Sequence, residues 1–273
     1  MLQALDPTGL GSDWYNYAKR YCALWELKDR SGKRIGWKWD GATNLAELQD
    51  RLRASFMVRR LKQDVLTSLP AKIRQVISVE PTSALSKLIT TEINSYQEYA
   101  EKLKDSTCFA SFQTGSTVRK QLGLAKVKFV TEHLKELLNE RPKIVCFGHH
   151  LDVLDKLAEE FPGECVQLDG RTNLQDRQQA VDTFQNDSRI KIFFGGLQAA
   201  GVGLTLTAAS TVVFAEFDWV PGNNFQAEDR CHRIGQKDCV NVQYIVFAGS
   251  LDERIASTDI CKQEVIDAAL DKE

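Results

Sequence analysis

From about residue 117 onward, short apolar runs alternate with helical patterns. Lys143-Ile144-Val145-Cys146-Phe147, Cys165-Val166-Gln167-Leu168, Ile190-Lys191-Ile192-Phe193-Phe194, Thr211-Val212-Val213-Phe214 and Val242-Gln243-Tyr244-Ile245-Val246-Phe247 each span four to six residues. Between them, Leu151 to Phe161 and Leu174 to Phe184 carry apolar residues at helical spacing. Strands this short and this apolar, separated by helices, predict an α/β fold: a parallel sheet with helices on both faces. Upstream, Leu85, Leu88, Ile89, Ile93, Tyr96, Tyr99 and Leu103 recur at helical spacing and predict an amphipathic helix. Residues 106–116 are small and polar around Gly115, the composition of a loop. Residues 1–80, rich in aromatics (Trp14, Tyr15, Tyr17, Tyr21, Trp25, Trp37, Trp39), show no strand-helix alternation and read as helices and loops. The expected organisation is therefore 1–80, a mainly helical segment; 81–116, helix and loop; 117–273, the α/β domain.

Composition changes this picture little. The 273 residues are 43% hydrophobic and 26% charged, with 35 basic against 37 acidic side chains, a balance that excludes a disordered chain and is ample for a buried core. No run approaches the roughly 20 apolar residues that span a bilayer, and the first residues lack the basic and apolar stretches of a secretion signal. The expectation is a non-secreted protein without membrane segments. Seven scattered cysteines with no Cys-x-x-Cys pair point to reduced thiols rather than disulfides or a zinc knuckle. Charge is uneven locally: Arg51, Arg53, Arg59, Arg60, Lys62, Lys72 and Arg74 face only Asp50 and Asp64. Such a patch either holds phosphates or is a solvated helix face.

In a parallel sheet, ligands gather at the carboxyl ends of the strands. There the sequence places Gly148-His149-His150, Asp169-Gly170-Arg171-Thr172, the stretch from Gly195 to Thr205, and Glu216-Phe217-Asp218-Trp219. The sharpest segment is Gln226-Ala227-Glu228-Asp229-Arg230-Cys231-His232-Arg233-Ile234-Gly235-Gln236. A helix over 223–234, capped by Asn223 and ended by Gly235, would align Gln226, Arg230 and Arg233 on one face. Two guanidiniums and an amide on one stripe match a polyphosphate and make an arginine-finger arrangement. The plainer alternative is a surface helix with Asp229 and Arg233 paired. Gly195 to Gly203 can bring backbone amides close to a phosphate, or simply make a tight turn. Thr172-x-x-Gln175 reads as a capping box, with Arg171 either on a nucleic-acid phosphate or facing solvent. His149 and His150 lack a third ligand at metal-binding spacing. No P-loop is present, since the only Gly-Lys pair, Gly32-Lys33, is followed by Arg34; there is also no Asp-Glu-x-x box for magnesium and no Gly-x-Ser-x-Gly elbow.

Taken in order, Ile144 to His150, Leu168 to Thr172, Ala199 to Leu206 and Gln226 to Gln236 resemble motifs four, four-a, five and six of the second RecA-like lobe of Swi/Snf-type ATPases in helicase superfamily two. Phe56 to Leu66 and Leu69-Pro70-Ala71-Lys72 are similar to the segment joining that family's two lobes, so the resemblance covers nearly the whole chain. Arg20-Tyr21-Cys22, Trp37-Lys38-Trp39-Asp40-Gly41, Phe147 to His150 and Phe214-Ala215-Glu216 resemble the annealing-helicase (HepA-related protein) branch, and Gly235-Gln236 favours double-strand translocases over RNA helicases.

The resemblance implies a RecA-like lobe and a DNA-dependent ATPase that translocates on duplex or branched DNA, with ATP and magnesium as cofactors. It makes Arg230 and Arg233 the finger pair, and Gln226, Gly201 and Gly203 nucleotide-facing. His149, Arg171, Thr205, Arg59 and Arg60 become DNA-backbone contacts. The missing P-loop and magnesium box belong to the family's first lobe, which would be the partner of this chain; alone, the chain should not hydrolyse ATP, and aromatics such as Trp14 or Trp25 should be exposed or repacked. No oligomer is expected. The location would be intracellular, nuclear in a eukaryotic host. The alternative is a non-catalytic nucleic-acid-binding or scaffold module.

Overall fold

The computed structural model describes residues 2–28, 32–39, 43–58, 66, 69–102, 109–200 and 203–257. Contacts divide the chain into two units, Met1–Thr67 and Ser68–Glu273.

In the first unit, Asp13 caps α2 (Trp14–Tyr21) by accepting from the amides of Tyr15 and Asn16, following the short α1 (Leu2–Leu5). The aromatic-rich sequence then makes something its periodicity does not announce: an antiparallel pair, β1 (Trp25–Lys28) and β2 (Arg34–Lys38). Trp39 packs edge-on against Trp14 and Trp37 against Tyr15, yet Trp14 and Trp25 remain more than half exposed. Helix α3 (Leu45–Ser55) is tied to α2 through Glu47, which accepts from Arg20 and the Tyr21 hydroxyl.

The second unit is built on a six-stranded, all-parallel sheet. Its strands are β3 (Lys72–Val79), β4 (Ile144–Gly148), β5 (Cys165–Leu168), β6 (Ile192–Gly196), β7 (Thr211–Phe214) and β8 (Val240–Phe247), in the order β3-β8-β7-β4-β6-β5. The four central elements β4, β6, β7 and most of β8 are buried on both faces, as parallel strands require. Alternate residues of one strand enter opposite cores: Val145, Phe147, Phe193, Val212, Phe214 and Tyr244 on one side, Ile144, Cys146, Phe194, Val213 and Ile245 on the other. Helices α6 (Leu151–Glu159) and α7 (Leu174–Asn186) connect the strands as their spacing predicts. This is the parallel α/β sheet that the apolar runs predict, and it fits the RecA-like lobe that the resemblance implies.

Two boundaries differ from the sequence expectation. Residues 72–79, expected in a helical segment, form β3 and pair in parallel with β8 over their whole length; the lone alternating strand at an edge carries too weak a signal to stand out. Residues 109–116, expected as loop, open the 29-residue helix α5 (Phe109–Leu137), which packs on α4 (Ser83–Lys102) and, with it, against Phe247. Gly115 belongs to that helix because the two helices approach closely: a Cβ there would lie 3.2 Å from the Tyr96 ring. The remaining elements, α8 (Leu197–Ala200), α9 (Pro221–Glu228) and a helix over 251–257, surround the carboxyl edge of the sheet and its flank. Among the described residues no helix is long and apolar enough to cross a membrane.

Candidate functional site

At the carboxyl end of β4 the chain turns through His149 and His150, and the turn is held by a side chain from the end of β7. Glu216, 2% exposed, accepts from the backbone amides of His149 (3.0 Å) and His150 (2.9 Å) through Oε2 and bonds the His150 ring through Oε1 (2.7 Å). Burial pushes its carboxyl up, but the His150 bonds and the charges of His150 and Lys126 outweigh that and hold it below the usual range. His149 is lowered by burial, then by the neighbouring His150 and Arg119 charges, so it stands as a neutral imidazole near pH 7. Space for Glu216 is left by Gly123 on α5, where a Cβ would collide with Oε1. Replacing Gly123 by alanine is therefore expected to cost about 1–3 kcal/mol through overpacking, read as a lower melting temperature.

After β5, Asp169 accepts from the backbone amide (2.8 Å) and guanidinium of Arg171, and Arg171 also grips Asp155 (2.6 and 3.0 Å). The expected capping box is not made: α7 starts one residue later, at N-cap Asn173 without a side-chain bond, and the Thr172 hydroxyl instead accepts from the Asp169 amide (3.0 Å). Arg171, half-exposed, is thus partnered within the protein while keeping an open side. Beside it lies a cleft of about 420 Å³ lined by His149, Leu151, Asp169, Arg177, Gly196 and Gln198, among others. Bonds from Arg171 hold the Asp169 carboxyl at about 2, against the effect of burial. Because that pKa is depressed, its stabilising contribution is complete above about pH 4 and is lost as pH falls through 2. The difference in urea midpoint between wild type and Asp169→Asn should accordingly shrink from pH 5 to pH 2.

The segment 226–236 departs from the single helix that its spacing predicts. Helix α9 begins after Val220, with Pro221 in its first turn, and ends at Glu228. Asn223 does not cap it but bonds Asp218 (2.9 Å). Beyond Glu228 the chain winds through tight turns, with Arg230 bonding back to Ala227 and Gln236 to Arg233. Gln226, Arg230 and Arg233 therefore do not form one helical stripe. Glu228 at the end of α9 is fully buried and accepts a fork from Arg74 (2.9 and 2.7 Å), a bond from Lys72 (2.8 Å) and one from the Tyr244 hydroxyl (2.8 Å). Asp229 pairs with Lys72 rather than Arg233. The basic patch inferred between Arg51 and Arg74 is divided accordingly: Lys72 and Arg74 turn inward to Glu228, Arg51 bonds the Tyr21 hydroxyl in the first unit, and Arg59, Arg60 and Lys62 lie outside the described residues.

What the turns achieve is a different convergence. Arg233, exposed, donates to the Leu204 carbonyl (3.0 Å) and lies 3.4 Å from the Thr205 hydroxyl, joining the 226–236 segment to the loop after β6. Arg230 is half-buried, and burial and the Arg233 charge lower its pKa. Gly235 has φ 102°, which favours glycine, and lets Gln236 fold back into the protein. There the Gln236 amide donates to Ala209 (2.8 Å), Cys231 and Thr207, and its carbonyl accepts from Lys237 and Asp238. Gln185 supports the same loop by donating to the Thr205 carbonyl (2.9 Å). Gln226 and Gly203 are exposed at this edge; Gly201 lies outside the described residues. The bracing roles of Glu216, Glu228 and Gln185 escape sequence reasoning because their partners are distant in the chain.

Residues 125–235 match the helicase conserved C-terminal domain. The chain is 40% identical over 259 residues to the human "DNA annealing helicase and endonuclease ZRANB3", covering 92% of the chain and 23% of that protein. It is 36% identical over 250 residues to "SWI/SNF-related matrix-associated actin-dependent regulator of chromatin subfamily A-like protein 1" of Xenopus tropicalis, covering 88% of the chain and 25% of that protein. The chain thus spans about a quarter of the length of these relatives. In fold it is similar to the Sulfolobus solfataricus SWI2/SNF2 ATPase core in complex with dsDNA (TM-score 0.57, 21% identity, 96% of the chain and 57% of that one). It is likewise similar to the C-terminal part of the Fun30 ATPase domain (TM-score 0.52, 20% identity, 69% and 89%).

Proposed function

This chain carries a helicase conserved C-terminal domain of the Swi/Snf kind, related to the annealing helicases, and from that premise we propose that it is the second lobe of an ATP-driven translocase on duplex or branched DNA. In this reading Arg230 and Arg233 meet the phosphates of ATP, with Gln226, Gly201 and Gly203 facing the nucleotide, while His149, Arg171, Thr205, Arg59 and Arg60 meet the DNA backbone. One observation carries it: the Arg233 guanidinium is exposed yet bonded to the Leu204–Thr205 turn. A group that feels the γ-phosphate and a group assigned to DNA then share a hydrogen-bond system, and charge developing on the phosphate can be transmitted to the grip on DNA.

Two cations at this edge suit the phosphates of ATP. The carboxylates there do not suit magnesium, because Asp169, Glu216 and Glu228 are each engaged by guanidinium, imidazole or amide groups. Magnesium and the P-loop are therefore assigned to the partner lobe, and the chain alone is expected to be silent. Bound there, the metal would neutralise charge on the phosphates; the part of this chain is to bring Arg230 and Arg233 to them. An intracellular site of action, nuclear in a eukaryotic host, follows from the same reading.

The test is ATP hydrolysis with and without duplex and forked DNA, by the chain alone and with a first-lobe half supplied. Turnover only in the combined, DNA-containing sample is expected. Turnover by the chain alone would overturn the assignment of the phosphate cradle to another lobe. Silence throughout with tight, salt-sensitive DNA binding would favour a scaffold.

A further inference from the structure

Four charged side chains behind the sheet edge share one buried site. Glu92 on α4, Arg119 and Lys126 on α5, and Asp252 in the 251–257 helix are each 8% exposed or less. Lys126 occupies an apolar place in the buried stripe Val118, Leu122, Val130, Leu134, and its Nζ donates to Asp252 (3.0 Å) and to the Ile245 carbonyl (3.2 Å). Burial, then the charge of Asp252, pushes the Glu92 carboxyl up to about 7 against the pull of Arg119 and Lys126. Burying charge is costly, and removing one partner of such a set costs more than the set contributes.

Arg119 reaches furthest. It pairs with Asp252 (3.3 Å), donates through Nη2 to the Phe217 carbonyl (2.6 Å) and lies over the Trp219 ring, 4.4 Å from its centre. The Tyr96 ring also packs on Trp219, with centres 4.5 Å apart. The loop so gripped is the exit of β7. One residue before Phe217, Glu216 holds both histidine amides after β4; two residues after Trp219, Pro221 opens α9, which leads to Arg230 and Arg233.

We propose that Arg119 is a positioning residue: it fixes the β7 exit loop at Phe217 and Trp219, so that the helix bearing Asp252 sets the placement of both the histidine turn and the arginine segment. A planar guanidinium can fork between a carbonyl and a carboxylate while stacking on an indole; a lysine supplies only the charge. The effect on turnover rests on the proposed translocase reading, whereas the effect on the loop does not.

The test uses Arg119→Lys, which keeps a cation beside Asp252, and Arg119→Met, which removes the guanidinium while Asp252 keeps its pair with Lys126 (3.0 Å). Hydrogen exchange on the chain should show the amides of His149, His150 and Val220 opening roughly tenfold faster in both, with β4 and β8 unchanged. In the two-lobed enzyme, kcat should fall roughly tenfold to a hundredfold with KM for ATP unchanged. Wild-type protection of these amides in Arg119→Lys would overturn the proposal, as would acceleration spread through the whole sheet. A two-lobed wild type without DNA-stimulated turnover would refute the translocase reading, and the exchange data would still decide the role of Arg119.

Discussion

Replacing Arg233 by alanine in the two-lobed enzyme is expected to lower DNA-stimulated ATP turnover by about 10³ to 10⁵, the range for loss of an arginine finger. Nucleotide binding should change little, because in the proposed function the guanidinium acts where charge develops on the transferred phosphoryl group. The side chain is exposed and gives up only its bonds to Leu204 and Thr205, so the fold should survive and the loss should lie in kcat. Arg233→Lys should recover little, since a point charge cannot reproduce the fork. Full turnover in the alanine variant would remove Arg233 from the mechanism. Steady-state ATPase assays together with a nucleotide-binding titration separate the two outcomes.

The second large effect is on stability. Glu228→Ala is expected to destabilise the second unit by about 3–5 kcal/mol, since it removes the buried carboxylate that Arg74, only 15% exposed, and the Tyr244 hydroxyl share, and leaves Lys72 with Asp229 alone of its two carboxylates. For a unit of this size that is roughly a 10 °C fall in melting temperature. Glu228→Gln should lie between, as it retains acceptor capacity without the charge. By contrast, breaking the Arg189–Asp187 pair, whose arginine is 85% exposed, should be barely measurable. A Glu228→Ala shift as small as that one would mean that Lys72 and Arg74 find water or other acceptors, and that the bonds of Arg230, His232, Arg233 and Gln236 suffice to hold the turn after α9. Thermal melts of the three variants decide it.

The central strands were legible because they are buried on both faces: β4, β6, β7 and most of β8 lie where apolar runs place them. Polar residues at their carboxyl ends followed from topology alone. What could not be read is long-range pairing. Lys72 and Arg74 look like a continuation of the Arg51–Lys62 charge run, and nothing local says that Glu228, over 150 residues away, will claim them. Glu228 is buried in that pairing, and α9 ends with it, short of the stripe that i, i+4, i+7 spacing suggested. Helix α5 was underestimated at its start because Gly115 is a loop residue by composition; only contact with Tyr96 explains it. A lysine within an apolar stripe, as at Lys126, is the kind of mismatch that does point from sequence to a buried partner.

Strand β3 is among the first parts of the second unit to leave the ribosome, yet its sheet partner β8 ends at Phe247, the register joining Lys72 to Val240 and Val79 to Phe247. At about 5–20 residues per second, β3 waits roughly 8–34 s for that neighbour during synthesis. Through this interval its backbone groups and the Lys72 and Arg74 side chains have no native partner, and an unpaired strand is a template for pairing with another nascent chain. The cations on its inward face serve a second purpose then, keeping the waiting strand hydrated. A folding rate limited by closure of this one long loop is the expected consequence of placing β3 beside β8.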